Sequence, residues 1–234
     1  TWGNTRPFRV RILNTLNENF DYFYIKMADA SRIYGLELEH ILSPNRILFL
    51  CDGNIIVEEH IAGIPGDDFI KRHLLDNHLD EVRLAKEFVK FNERCFVRLL
   101  GDMHSGNFVV NVTPDFDETV YRLRAIDFDQ QSYEGSSKVY MPQNFAENRP
   151  LVDVVDRCMD STTYHQYREE ERTLIAKRAR SESTRLLDLM QVMANEDVAP
   201  HKNILHLRNE LTDHYRTPEF LGCESMGDLV YTSL

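Results

Sequence analysis

The stretch Gly101-Asp102-Met103-His104-Ser105-Gly106-Asn107 sets a carboxylate, an imidazole and a carboxamide close together, just ahead of the apolar run Phe108-Val109-Val110. A polar loop mounted between apolar elements is where catalytic groups are commonly carried. A second cluster, Ala125-Ile126-Asp127-Phe128-Asp129, follows one strand-turn-strand later. A tight hairpin brings its two ends together, so Asn107 and Asp127 are expected to converge. An amide oxygen and a carboxylate oxygen make half of a Mg2+ site, with phosphate and water supplying the other ligands. Asp102 would then stand beside the metal, free to accept a proton from an attacking hydroxyl.

The elements that must position these loops can be read from periodicity. Phe8 to Leu13 and Tyr22 to Lys26 read as strands around a polar turn. Residues 29 to 42 read as a helix capped by Asp29 or Ser31 and stopped before Pro44. On that helix Ile33, Tyr34, Leu38, Ile41 and Leu42 share a face, Glu37 falls inside it, and Glu39 falls on the opposite, solvated side. A carboxylate on a buried face needs a partner. Arg46 to Leu50 and Asn54 to Glu59 form a hairpin around Asp52-Gly53. Ile61 to Gly66 is a Gly/Pro-rich joint. Asp67 or Asp68 is expected to cap a short helix through Leu75, and residues 80 to 98 form a helix whose core face is Val82, Ala85, Phe88, Val89 and Phe96, with Leu99 following. Phe108 to Val112 and Tyr121 to Ile126 are short strands joined by the turn at Thr113 to Asp117. Beyond an irregular stretch, the chain from Leu151 on is mostly helical and charged, with breaks near Asn195 to Pro200 and at Thr217-Pro218.

The bulk numbers bound the reading. A chain of 234 residues, 42% hydrophobic, can bury a real core. A formal net charge of −11 argues against nonspecific binding to nucleic acid or anionic membranes. No apolar run approaches the roughly 20 residues of a membrane span. Cys51, Cys95, Cys158 and Cys223 form no C-x-x-C pair, and reduced thiols in the cytoplasm are expected unless a targeting segment precedes Thr1.

Asp102-Met-His-Ser-Gly-Asn107 followed by Ile126-Asp127-Phe128-Asp129 resembles the protein-kinase-like superfamily, above all its aminoglycoside phosphotransferase and choline kinase branch. That branch carries a G-D-x-H-x-x-N loop and an I-D-F/W-D/E metal motif; the protein-kinase counterparts are H-R-D-x-x-x-x-N and D-F-G. The resemblance implies an α+β, two-lobed kinase-like fold: a small β-rich N-lobe over residues 1–62 and a mainly helical C-lobe over 63–234. It implies an ATP- and Mg2+-dependent phosphotransferase acting on a hydroxyl of a protein or small molecule. Lys26 would hold the α- and β-phosphates, with Glu37 as its ion-pair partner and Glu39 as the alternative. The backbone of Glu58, Glu59, His60 and Ile61 would form the hinge that meets adenine. Asp102 would be the catalytic base, Asn107 and Asp127 the metal ligands, and Asp129 either a second metal ligand or a cap. His104 would brace the loop.

There are departures. No G-x-G-x-x-G loop precedes Lys26, where only Trp2-Gly3-Asn4 stands; either that loop is missing from this chain or phosphate is covered another way. No A-P-E follows Asp127. A pseudokinase or nucleotide-binding module without transfer activity is the competing reading. A metallophosphatase reading of Gly101-Asp102-Met103-His104 lacks the further metal-ligand blocks it needs. Asp153, Asp156 and Asp160 share a helical face, read either as solvated or as propping the catalytic loop. Residues 131–140, rich in Ser and Tyr, read either as an autophosphorylated loop or as a flexible surface loop. His201, His206 and His214 lack metal spacing.

Overall fold

A computed structural model of the chain describes residues 7–76, 79–115 and 118–234. Trp2-Gly3-Asn4, and Phe116 and Asp117 of the expected turn, lie outside the described residues. The fold is α+β: a small antiparallel sheet with one helix comes first, and a mainly helical part follows.

The first sheet holds β1 (Phe8–Leu13), β2 (Phe20–Met27), β3 (Phe49–Asp52) and β4 (Ile55–Glu59), in the order β1-β2-β4-β3. Lys26 pairs with Ile56, and Tyr24 with Glu58, so these four side chains share one face. Gly53, at φ +59°, makes the β3–β4 turn in the left-handed region that glycine enters freely.

Between β2 and β3 runs α1 (Ala30–Leu42), whose N-cap Asp29 accepts a hydrogen bond from the Arg32 N–H at 3.1 Å. This helix is buried on two sides. Leu36 enters one apolar cluster with Ile56, Phe88 and Phe128, while Tyr34, Leu38, Ile41 and Leu42 enter a second with the C-terminal helices. The stripe left partly exposed is Ile33, Glu37 and His40. The sequence expectation that Glu37 lies buried and Glu39 solvated is therefore reversed. A helix packed on one side has one apolar face, but α1 is packed on two.

The Gly/Pro joint contributes β5 (Ile64–Pro65), which pairs with β6 (Phe108–Asp115); β6 in turn pairs with β7 (Glu118–Ala125). Between them come α2 (Gly66–Arg72) and α3 (Glu81–Val97). Pro65, not Asp67 or Asp68, is the N-cap of α2; the two carboxylates sit in its first turn, where the helix dipole favours them. Asp80 caps α3, accepting from the Arg83 N–H at 3.0 Å.

Helix α3 is the central element. Ala85, Phe88, Val89, Phe96 and Leu99 are buried as expected, and Leu84 is buried with them, but Val82 is 55% exposed because it lies in the first turn, before the helix enters the core. Its polar residues Asn92, Glu93 and Arg94 are buried too. Arg94 pairs with Glu87 at 2.7 Å and Glu171 at 3.4 Å, and Glu93 accepts from Arg168 at 2.7 Å and from Arg172. These pairs dock α5 (Ser161–Ser181), a helix too uniformly charged to be placed by an apolar stripe. The remaining helices are α4 (Arg149–Cys158), α6 (Ser183–Asn195), α7 (His201–Tyr215) and α8 (Met226–Ser233). None of the described helices is long and apolar enough to cross a membrane.

Candidate active site

The loop that follows α3 is held by backbone pairing with the segment after Asp129. Leu100 bridges Gln131, the Gly101 N–H donates to the Gln130 oxygen at 3.0 Å, and the Asp102 N–H donates to the Val139 oxygen at 3.2 Å. Leu99 and Asp102 both take positive φ, at +56° and +60°. Non-glycine residues there cost roughly 1–2 kcal/mol each, and Asp tolerates it better than most. The surrounding bonds hold the loop in that shape. Buried Asn148 adds a brace, donating to the Met103 oxygen at 2.9 Å and the Pro142 oxygen at 2.8 Å.

Inside the loop, the Asn107 Nδ2 donates to the Asp102 carbonyl oxygen at 2.8 Å and lies 3.4 Å from its Oδ2. That pins the amide, and among the described residues Asn107 Oδ1 has no hydrogen-bond partner. The His104 Nδ1 accepts from the Gly106 N–H at 3.0 Å, a loop-bracing contact. The Ile126 N–H donates to the Asn107 oxygen at 2.9 Å, so the two ends of the β6–β7 hairpin lie side by side. The hairpin is itself anchored to α3, since Glu87 accepts from the Leu123 N–H at 3.0 Å. The folding logic is thus local: a hairpin with both ends tied puts Asn107 next to Asp127.

A single cleft of about 580 Å³ is lined by Lys26, Glu58, Glu59, His60, Ile61, Asp102, Asn107, Asp127 and Asp129. Its apolar walls include Leu36, Ile47, Val109 and Phe128. The volume lies in the range of small-ligand sites, and about half of the lining residues are polar or charged. Glu37 is not in the cleft. Its carboxylate pairs with Arg185 at 2.5 Å, on the exposed stripe of α1. Glu39 pairs with Arg98 in the interior.

The partner of Lys26 is Glu58, with Nζ 3.0 Å from Oε2. Glu58 also receives both ends of a fork from Arg32, Nε at 2.6 Å and Nη2 at 2.8 Å. The Arg32 Nη1 then donates to Asp127 Oδ1 at 2.9 Å and to Asp129 Oδ1 at 2.6 Å. Sequence reasoning missed Arg32 and gave Glu58 only a backbone role. Two signals were present. Glu58 alternates in phase with inward-facing Ile56, and Arg32 sits four residues before Leu36 on the helix.

Electrostatics follow from this crowding. Burial, with the Arg32 charge beside it, lowers the Lys26 pKa, and Glu58 opposes the shift. Burial works against the Arg32 charge, but Glu58 and Asp129 outweigh it and hold the guanidinium above its ordinary value. Burial raises the Asp102 pKa, as do the carboxylates of Asp127 and Glu147; His104 and Asn107 pull it down.

Along residues 58–61, the Glu59 N–H donates to the Leu48 oxygen at 2.9 Å and the His60 N–H to the Tyr22 oxygen at 2.8 Å. The Ile61 N–H makes no backbone hydrogen bond among the described residues.

Among the described residues, no group of three or more His, Cys, Asp or Glu side chains is arranged to hold a metal. A Mg2+ ion fits here only as a half-site: Asn107 Oδ1 and the Asp127 oxygen that Arg32 does not engage, both hard oxygen donors, with ligand oxygens completing it.

Two other expectations resolve. Asp153 and Asp156 are exposed and pair with Arg149, while Asp160 caps α5; none props the loop, which Asn148 does instead. In segment 131–140, Ser132, Ser137 and Tyr140 are buried, and the Tyr140 hydroxyl donates to the Glu134 oxygen at 2.6 Å. That stretch is packed, with Tyr133 its exposed hydroxyl.

No protein-family model and no curated protein matches this chain.

Proposed function

We propose that the chain is an ATP- and Mg2+-dependent phosphotransferase of protein-kinase-like fold, moving the γ-phosphoryl group of ATP to a hydroxyl acceptor. The observation that carries this reading is the shared cleft of Lys26, Asp102, Asn107 and Asp127. The N–H of cleft-lining Ile61, which has no backbone partner among the described residues, supports a base-recognition role for the 58–61 stretch.

In this reading Lys26 neutralises the α- and β-phosphate oxygens, held in place by Glu58. Asp102 accepts the proton of the acceptor hydroxyl as its oxygen bonds to the γ-phosphorus and the bond to the β–γ bridging oxygen breaks, releasing ADP. Asn107 and Asp127 would hold the metal, which when bound neutralises charge on the phosphate oxygens. Catalysis is then positioning and electrostatics rather than covalent chemistry.

The test combines Mg·ATP thermal shift with γ-labelled ATP and a panel of small-molecule and protein acceptors. Binding to the folded state alone must raise the midpoint. The expected result is a shift at millimolar Mg·ATP and transfer that Asp127→Ala and Asp102→Ala both abolish, with Asp102→Ala keeping the shift. Full transfer by both variants, or no shift at all, defeats the proposal.

A further inference from the structure

We propose that Arg32 is a resident cation of the cleft: its guanidinium takes the place that a second divalent ion would occupy between Asp127 and Asp129, and so limits the site to one metal ion. This rests on reading the cleft as a phosphotransferase site.

The Arg32 side chain is 2% exposed. Four of its five N–H groups are committed: Nε and Nη2 to the two oxygens of Glu58, and both hydrogens of Nη1 to Asp127 and Asp129. The Nη1 nitrogen therefore stands where an ion bridging those two carboxylates would stand. Arginine does not give up its proton at any ordinary pH, so the charge is permanent. An ion taking that position would strip a buried guanidinium of two acceptors, which is strongly unfavourable.

The consequence is alike for the two carboxylates: each gives Arg32 its Oδ1 and keeps its other oxygen outside that contact. Asp127 Oδ1 also accepts from the Asp129 N–H, at 3.2 Å. Each can reach a metal through one oxygen only, and the two cannot share an ion where Nη1 stands.

The residue also joins the parts of the cleft. Through Glu58 it reaches Lys26, and through Asp127 and Asp129 it reaches the β7 loop. Arg32 is thus a positioning residue that sets the number of metal ions.

The experiment titrates Mn2+ into the full chain with β,γ-imido-ATP and counts bound Mn2+ from the loss of the free-ion EPR signal, after subtracting nucleotide alone. Wild type is expected to bind one ion per chain. Arg32→Lys, which keeps the charge, is expected to bind one. Arg32→Met is expected to bind two, or one at least about tenfold more tightly, since a unit charge within about 4 Å is removed. Two ions on wild type, or an unchanged count and affinity in Arg32→Met, overturn the proposal. If Arg32→Met does not fold, the pair Arg32→Met with Glu58→Gln removes a buried carboxylate along with the cation and is read the same way. No Mn2+ on wild type, or binding unaffected by Asp127→Asn, instead overturns the metal reading of the cleft and this proposal with it.

Discussion

Lys26 meets its carboxylate partner across a strand pair, not across a helix: its Nζ lies 3.0 Å from Glu58 Oε2 on the neighbouring strand β4. Glu58→Ala is expected to cut phosphoryl transfer by about 10²–10³-fold and to lower stability by about 3–5 kcal/mol, because it leaves Lys26 and Arg32 without their buried counter-ion. Glu37→Ala is expected to leave transfer within about twofold, since exposed pairs such as Glu37–Arg185 contribute about 0–1 kcal/mol. Steady-state kinetics and urea unfolding of the two variants check this; equal losses would reverse the assignment.

Asp102 is held charged against its surroundings, which raise its pKa. The fold therefore binds the proton more tightly than the unfolded chain does. The penalty is absent at low pH and is felt as pH rises through the unfolded pKa and then the folded one. Asp102→Asn removes it, and Asn accepts positive φ at least as readily. The melting midpoint at pH 7 is expected to rise by up to about 2 °C while transfer is lost. A lower midpoint would contradict this account.

The Glu39–Arg98 pair is buried between α1 and the end of α3. Removing one member strands the other in the interior, so Glu39→Ala is expected to cost about 3–5 kcal/mol. The double variant Glu39→Leu with Arg98→Leu is expected to recover most of that. Chemical denaturation of the single and double variants gives the coupling directly.

Helix α1 approaches the Asp127 loop closely at Gly35. A Cβ there would lie 2.9 Å from Phe128 Cβ and 3.2 Å from Gln131 Cβ, neither of which can swing aside. Gly35→Ala gains about 1 kcal/mol of helix propensity and is still expected to destabilise by about 1–3 kcal/mol through overpacking. Thermal denaturation decides; a gain in midpoint would show that the contact yields.

Thiol chemistry should sort the four cysteines. Cys51 is exposed, whereas Cys95 is buried on α3 with its pKa pushed up to about 12 by burial, and Cys223 is also buried and raised. At pH 8 a thiol reagent is expected to label Cys51 fastest and Cys95 only on unfolding. Rapid labelling of Cys95 in the native state would place it elsewhere.

What could be read in the sequence was what depends on neighbours in the chain. The Asp102–Asn107 loop, the Asp127 cluster and the hairpin joining them are local, and hairpin closure was enough to bring Asn107 to Asp127. The elements of the first sheet and the cap at Asp29 follow from the same short-range logic. What failed depended on which side of an element meets which neighbour. One apolar stripe was assigned to α1, yet it is wedged between two clusters, so Glu37 and Glu39 exchanged places. Arg32 looked like an ordinary polar residue in the first turn, because its three carboxylate partners lie 26, 95 and 97 positions away. Docking of α5 through Glu93 and Glu171 was likewise invisible to periodicity, since charge pairs leave no apolar stripe.

Because α1 is gripped from both flanks, it is poorly suited to swing as a lever. Pulling Tyr34, Leu38, Ile41 and Leu42 out of their cluster would forfeit about 1.5–3 kcal/mol for each side chain. Whatever widening a ligand demands on entry then falls to the outer strands and to the Gly63 joint, and the wall that carries Arg32 stays put.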